Sequence, residues 1–115
     1  MTDIFKTLSE ENRLRILSLL LEGELCVCEI EACLQLTQSN ASRHLAALKR
    51  AGIVESDKKA LWTYFRISND FIHKNTELWE YLKSRLKELK TYSDDFEKYL
   101  KCKSEGLCGI DKKPH

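Results

Sequence analysis

Proline occurs once in these 115 residues, methionine once and glycine four times. So little proline and glycine argues against a loop-rich or collagen-like chain. With frequent Leu, Glu and Lys, it favours a mostly helical one. No apolar run approaches the roughly 20 residues of a membrane span. The longest, Ile16 to Leu21, is interrupted by Ser18. The opening Met-Thr-Asp-Ile-Phe-Lys lacks the basic-then-apolar pattern of a secretory signal, so a cytoplasmic protein without membrane contact is expected. Net charge is only +1. Cysteine is the exception to this scarcity, with five residues. An odd number in a reducing compartment fits a disulfide framework poorly and leaves soft-metal binding or thiol redox sensing. There is no Cys-x-x-Cys and no alternating strand–helix pattern around the thiols, so a thiol oxidoreductase fits badly. Neither an enzyme nor an organic cofactor is expected.

The small net charge hides a segregated distribution. Residues 1–37 carry three basic and seven acidic side chains, whereas residues 38–66 carry six basic and two acidic. One basic block on a neutral chain is a candidate polyanion-binding surface.

Apolar periodicity predicts helices over 3–8, from the Ser9 cap to Gly23, over 25–34, and over 38–51 with Thr37 as N-cap and Gly52 beyond the C-terminus. Residues 53–56 and 61–67 are β-branched and aromatic, and Asp57-Lys58-Lys59-Ala60 lies between them as the turn of a β-hairpin. A long helix follows Asp70, breaking near Ser93-Asp94. One winged helix-turn-helix domain over 1–100, mostly α with a small hairpin, and a flexible cysteine-containing tail over 101–115 are therefore expected.

Two short helices joined by a tight turn and followed by a charged hairpin place chemistry suited to DNA in one region. Gln38, Asn40, Arg43 and His44 carry groups that read base edges, and Ser39 and Ser42 suit phosphate. Lys49 and Arg50 fall at the far end of the same helix. Lys58 and Lys59 at the hairpin tip, with Tyr64 and Arg66 on its return strand, extend the footprint. A unit this small reads few base pairs, so two half-sites and a homodimer are expected on double-stranded operator DNA. Ile4 and Phe5 of the first helix and Trp79, Leu82, Leu86 and Leu89 of the terminal helix are the predicted dimer contacts.

Cys26 and Cys28 open the third helix. On an ideal helix they project about 200° apart, so one ion captured by both is expected to distort the first turn and disturb the DNA reader. A helix N-terminus is also expected to lower their thiol pKa. Zn(II) or Cd(II) takes four ligands and trivalent arsenic three sulfurs, so Cys102 and Cys108 are the candidate suppliers of the rest. Cys33 reads as a small buried apolar residue.

Three segments carry a specific resemblance: Glu24-Leu25-Cys26-Val27-Cys28-Glu29-Ile30, Ser39-Asn40-Ala41-Ser42-Arg43-His44-Leu45, and Leu61-Trp62-Thr63-Tyr64-Phe65-Arg66-Ile67. They resemble, in order, the metal-binding box, the recognition helix and the returning wing strand of the ArsR/SmtB family of metal-sensing repressors. The resemblance implies a homodimeric repressor that leaves its operator when As(III) or Sb(III) binds, or alternatively Cd(II) or Pb(II). A thiol redox switch on the same scaffold is the remaining alternative.

Overall fold

The computed structural model describes residues 2–105; Cys108 lies outside them. The elements run α1 (Thr2–Thr7), α2 (Glu11–Leu20), β1 (Leu25–Cys26), α3 (Val27–Leu34), α4 (Gln38–Arg50), β2 (Val54–Lys59), β3 (Trp62–Ile67), α5 (Asn69–Lys74), α6 (Thr76–Leu86) and α7 (Tyr92–Glu105). The fold is the expected winged helix-turn-helix. The helices α3 and α4 form the helix-turn-helix, and β2 and β3 form the wing.

Local chemistry explains the turn between α3 and α4. Gln35 ends α3 in the left-handed conformation, at φ 57°. Thr37 then caps α4, its hydroxyl accepting the Asn40 backbone N–H at 3.1 Å. The α4 stripe of Ala41, Leu45 and Leu48 is buried against Ile16, Leu17, Leu20 and Ile30, the centre of the core. The wing is antiparallel, with Val54 opposite Ile67 and Lys59 opposite Trp62. Its connection is the two residues Ala60 and Leu61, shorter than the expected turn over 57–60, with Ala60 in the left-handed region.

Three further departures from the sequence expectations bear on function. Leu25 and Cys26 form a short strand, β1, on the free edge of β3, with Leu25 opposite Phe65 and Cys26 opposite Tyr64. The expected third helix therefore begins only at Val27. Second, Trp79, Leu82 and Leu86 are buried by their own chain, Trp79 meeting Phe71 edge-on with centroids 6.2 Å apart. They pack into the core, and Leu82 and Leu86 also line the floor of the groove described next. The apolar surface left uncovered nearby is a groove of about 470 Å³ between α1 and α6, edged by exposed Phe5 and Tyr81 and by half-buried Leu78 and Leu89. Ile4 is half-buried against the core. Third, the chain is helical from Tyr92 to Glu105, so the irregular tail expected from residue 101 does not begin there. This helix folds back on α2 and α3. Asp95, 1% exposed, takes a two-pronged contact from Arg15, with Nε to Oδ2 at 2.9 Å and Nη2 to Oδ1 at 3.0 Å. Lys98 reaches Gln35 at 2.9 Å.

Candidate inducer site and nucleic-acid interface

Cys26 is at once the last residue of β1 and the N-cap of α3, with extended backbone angles (φ −86°, ψ 162°). That position brings its sulfur back over the first helical turn, and Cys26 Sγ lies 3.1 Å from Cys28 Sγ. The 200° separation of a regular helix does not apply, because only Cys28 is helical. Two sulfurs are thus already together, and no distortion of the turn is required to join them. Glu29 holds the cap: its Oε1 accepts the Cys26 backbone N–H at 3.0 Å, and its own N–H points to the Cys26 sulfur.

The expected fall in thiol pKa is also reversed at Cys26. Burial pushes its pKa up to about 12, the hydrogen bond with Cys28 adds to this, and the Glu29 N–H opposes both. Desolvation outweighs the helix terminus here. Burial at this position favours the protonated thiol of Cys26 over its thiolate.

The pair opens on a cleft of about 310 Å³ whose walls come from three elements. Val27 and Glu31 of α3 form one side, Gln38 and Ser42 of α4 the second, and Leu61, Trp62 and Thr63 of the wing the third. The thiols therefore share a cavity with two residues of α4, the second helix of the helix-turn-helix.

Cys102 does not join this pair. It is buried between α7 and α3, where its thiol hydrogen-bonds that of Cys33. Burial, then this bond, raises the pKa of Cys33. The cysteines among the described residues thus form two pairs, and no cluster of three metal-ligating side chains occurs among those residues. Cys33 is fully buried, as expected, but it is a thiol partner as well as a packing residue. Glu29 links the two pairs, its second oxygen meeting Lys103 Nζ at 3.2 Å. Sequence spacing gave no hint of this, since the partners are 74 residues apart.

Of the residues expected to meet DNA, Gln38, Ser39, Asn40, Ser42, Arg43, Lys49 and Arg50 are all exposed on α4. Arg43 Nη2 donates to Asn40 Oδ1 at 3.2 Å, and Lys49 Nζ donates to Ser56 Oγ at 2.8 Å. His44 is different. It is 1% exposed, and its Nδ1 accepts from Arg13 Nε at 3.1 Å, so it joins α4 to α2 and faces no solvent. Its expected role at DNA is withdrawn for that reason. Two wing cations are also committed within the chain. Lys59 reaches Glu24 at 2.6 Å and lies 5.0 Å from the centre of the Tyr64 ring. Arg66 meets Asp57 at 2.8 Å, Glu55 at 3.3 Å and Glu24 at 3.5 Å. Lys58 at the tip is exposed.

The pKa of His44 is lowered, first by burial and then by Arg43 and Arg13. Its native form is neutral and binds fewer protons than the unfolded chain below about pH 6.5. Stability is therefore expected to fall as pH drops through that value and to be insensitive to this group above it. Urea midpoints at pH 7.5 and 5.5 check this: His44→Gln, which does not titrate, should lose less on acidification than the wild type.

The same architecture is found in known proteins. The profile described as "Bacterial regulatory protein, arsR family" matches residues 10–56. The arsenic resistance transcriptional regulator ArsR1 of Pseudomonas putida is 46% identical over 65 residues, covering 56% of this chain and 51% of that protein. The cadmium resistance transcriptional regulatory protein CadC of Listeria innocua is 44% identical over 66 residues, covering 56% of each. This chain thus spans about half the length of the curated relatives it matches. Among solved structures, a homodimeric winged helix-turn-helix DNA-binding domain of Mycobacterium bovis, described as a possible ArsR-family transcriptional regulator, superposes with a TM-score of 0.62. It is 30% identical and covers 72% of this chain and 77% of that one. With the family profile over the helix-turn-helix and a 30% identical ArsR-type neighbour covered over 77% of its length, this chain belongs to the ArsR family of bacterial regulatory proteins.

Proposed function

We propose that this protein is a homodimeric transcriptional repressor whose α4 and wing hold operator DNA, and which lets go when As(III) or Sb(III) is captured by Cys26 and Cys28. The observation that carries this reading is the pair of sulfurs 3.1 Å apart in a cleft shared with Gln38 and Ser42. Coupling follows from occupancy. A ligand seated on the two sulfurs fills the space between α3, the start of α4 and the wing, so those elements move apart or rotate. Ligand then prefers the form that fits DNA poorly, and by linkage DNA lowers ligand affinity by the same factor.

The donor set fits trivalent arsenic. Soft sulfur ligands suit it, and the exchange of arsenous acid hydroxyls for thiols releases water and no net proton, so the raised Cys26 pKa is no obstacle. Cd(II) must instead displace the thiol protons, which a pKa of about 12 makes costly near neutrality. The cadmium reading is supported by the relative named for cadmium resistance, and the arsenic reading by both the relative and the thiol chemistry.

The groove between α1 and α6, with Phe5 and Tyr81 at its edge, suits the second protomer, as does the homodimeric neighbour. On DNA, Arg43, Lys49, Arg50 and Lys58 supply cations while Lys59 and Arg66 brace the wing.

The test uses a fluorescent operator fragment. Arsenite is expected to release the wild-type protein, whereas the double substitution Cys26→Ser, Cys28→Ser should bind the fragment with similar affinity and ignore arsenite. Retained release by the double variant, or unchanged wild-type affinity at saturating arsenite, removes this reading.

A further inference from the structure

Ser39, Arg43, Ala46 and Arg50 form one exposed ridge of α4 at helical spacing. The two flanks of that ridge are built differently. On one, Lys49 reaches Ser56 of the wing at 2.8 Å, and Gln38 and Ser42 line the thiol cleft. On the other, Ala47 and Ala51 wall a second cleft, of about 400 Å³, shared with α1 and α2.

Cations dominate this second cleft. Lys6 comes from α1, Arg13 from α2 and Arg50 from the end of α4, against one lining carboxylate, Asp3. None of these cations makes an ion pair among the described residues. Arg13 is half-buried and anchored by neutral acceptors: Nε donates to His44 Nδ1 at 3.1 Å and Nη1 to the Thr7 carbonyl at 3.4 Å. Its place is thereby fixed while its charge lacks a counterion. A concave site lined mainly by one sign of charge focuses its field and draws in the opposite sign.

The position of the cleft indicates which anion. A helix about 10–12 Å across fills a major groove about 12 Å wide, so a phosphate strand runs along each flank. The wing and Lys49 stand on the first flank. The methyl groups of Ala47 and Ala51 offer a phosphate nothing on the second, and the cleft beside them supplies the cations.

We propose that Lys6, Arg13 and Arg50 seat a phosphodiester of the DNA backbone, so that α1 and α2 join α4 and the wing in holding DNA. The proposal rests on the reading of α4 as the helix that enters the groove, and adds Lys6 and Arg13, which lie outside the helix-turn-helix. One short helix then carries two contacts, Lys6 to DNA and Phe5 to the groove proposed for the second protomer. Contacts to phosphate position a protein on the duplex without reading its sequence.

The full chain is titrated into the fluorescent operator fragment and into a scrambled duplex of the same length, as wild type, Lys6→Gln, Asp3→Asn and Arg43→Gln. Lys6 is exposed, so its replacement leaves the core intact. At about 0.15 M salt Lys6→Gln should weaken both duplexes alike, about three- to tenfold per half-site, and flatten the slope of log affinity against log salt by about 0.9 per protomer. Asp3→Asn removes the opposing charge and should strengthen both about two- to fivefold. Operator duplexes with one phosphodiester at a time replaced by uncharged methylphosphonate then locate the contact. At one position in each half-site the loss seen with the wild type should vanish in Lys6→Gln. Unchanged affinity in Lys6→Gln, weakening by Asp3→Asn, or no methylphosphonate position that depends on Lys6 overturns the proposal. So does loss of the dimer by Lys6→Gln in sedimentation, which would place Lys6 at the protomer contact. Lys6-dependent binding of inorganic phosphate with DNA affinity indifferent to Lys6 overturns it too, making the cleft a free-anion site. If Arg43→Gln binds the operator fragment as the wild type does, the reading of α4 itself falls, an outcome distinct from a silent Lys6.

Discussion

Between pH 6 and pH 8 the affinity for Cd(II) is expected to rise at least about a hundredfold, while that for arsenite stays within about threefold. The contrast comes from proton counting. Burial and the neighbouring Cys28 hold the Cys26 pKa at about 12, so Cys26 arrives protonated throughout this range. Each thiol proton displaced by a divalent cation makes binding about tenfold stronger per pH unit. Cys26 alone accounts for two decades, and Cys28 adds to them wherever it is also protonated. Neutral arsenous acid takes the thiol protons away in water, so its net proton release is zero. Competition titrations with a chromophoric thiol chelator, repeated across the range, check both slopes. A flat cadmium profile would show that Cys26 is a thiolate near neutrality, and a steep arsenite profile would remove the proton-neutral exchange.

Asp95→Ala is expected to cost about 3–5 kcal/mol of folding stability, the penalty for breaking one side of a buried ion pair. Arg15 is itself mostly covered, and its guanidinium also donates to Asn12 Oδ1 and to the Leu34 carbonyl. Removing the carboxylate leaves that charge desolvated at the junction of α2, α3 and α7. Asp95→Asn keeps the shape and one acceptor and should cost less. Urea unfolding measures both. Because α7 covers Cys33 and Cys102, Asp95→Ala should also speed alkylation of those thiols. A loss below about 1 kcal/mol would place the pair among ordinary surface contacts.

The helix α4 was legible because its signals are local. Thr37 caps, the small and apolar residues recur at helical spacing, and Gly52 follows the end. The wing was legible from its aromatic and β-branched run. What the sequence concealed depends on partners far along the chain. Cys26 is extended because β3, nearly 40 residues later, offers an edge for Leu25 and Cys26. Without that pairing the segment reads as helix, and the two sulfurs appear to point apart. The return of α7 depends on Asp95 finding Arg15, 80 residues earlier. His44 was misplaced at DNA because a polar residue among exposed polar neighbours carries no mark of the half-buried Arg13 it serves. The aromatic and leucine residues of α6 read as interface because their apolar stripe exceeds what a small domain easily covers, and packing by Phe71 of α5 places Trp79 in the core.

Glu29 answers to both ends of the molecule. One oxygen fixes the backbone of Cys26 and the other holds the ammonium of Lys103. A chain cut before residue 102, the obvious way to ask whether the last cysteines are ligands, would also strip Glu29 of its countercharge and uncover Cys33. Any change in arsenite response after such a cut would confound a missing sulfur with a loosened cap. Single-atom exchanges of sulfur for oxygen, made one cysteine at a time, keep those two effects apart.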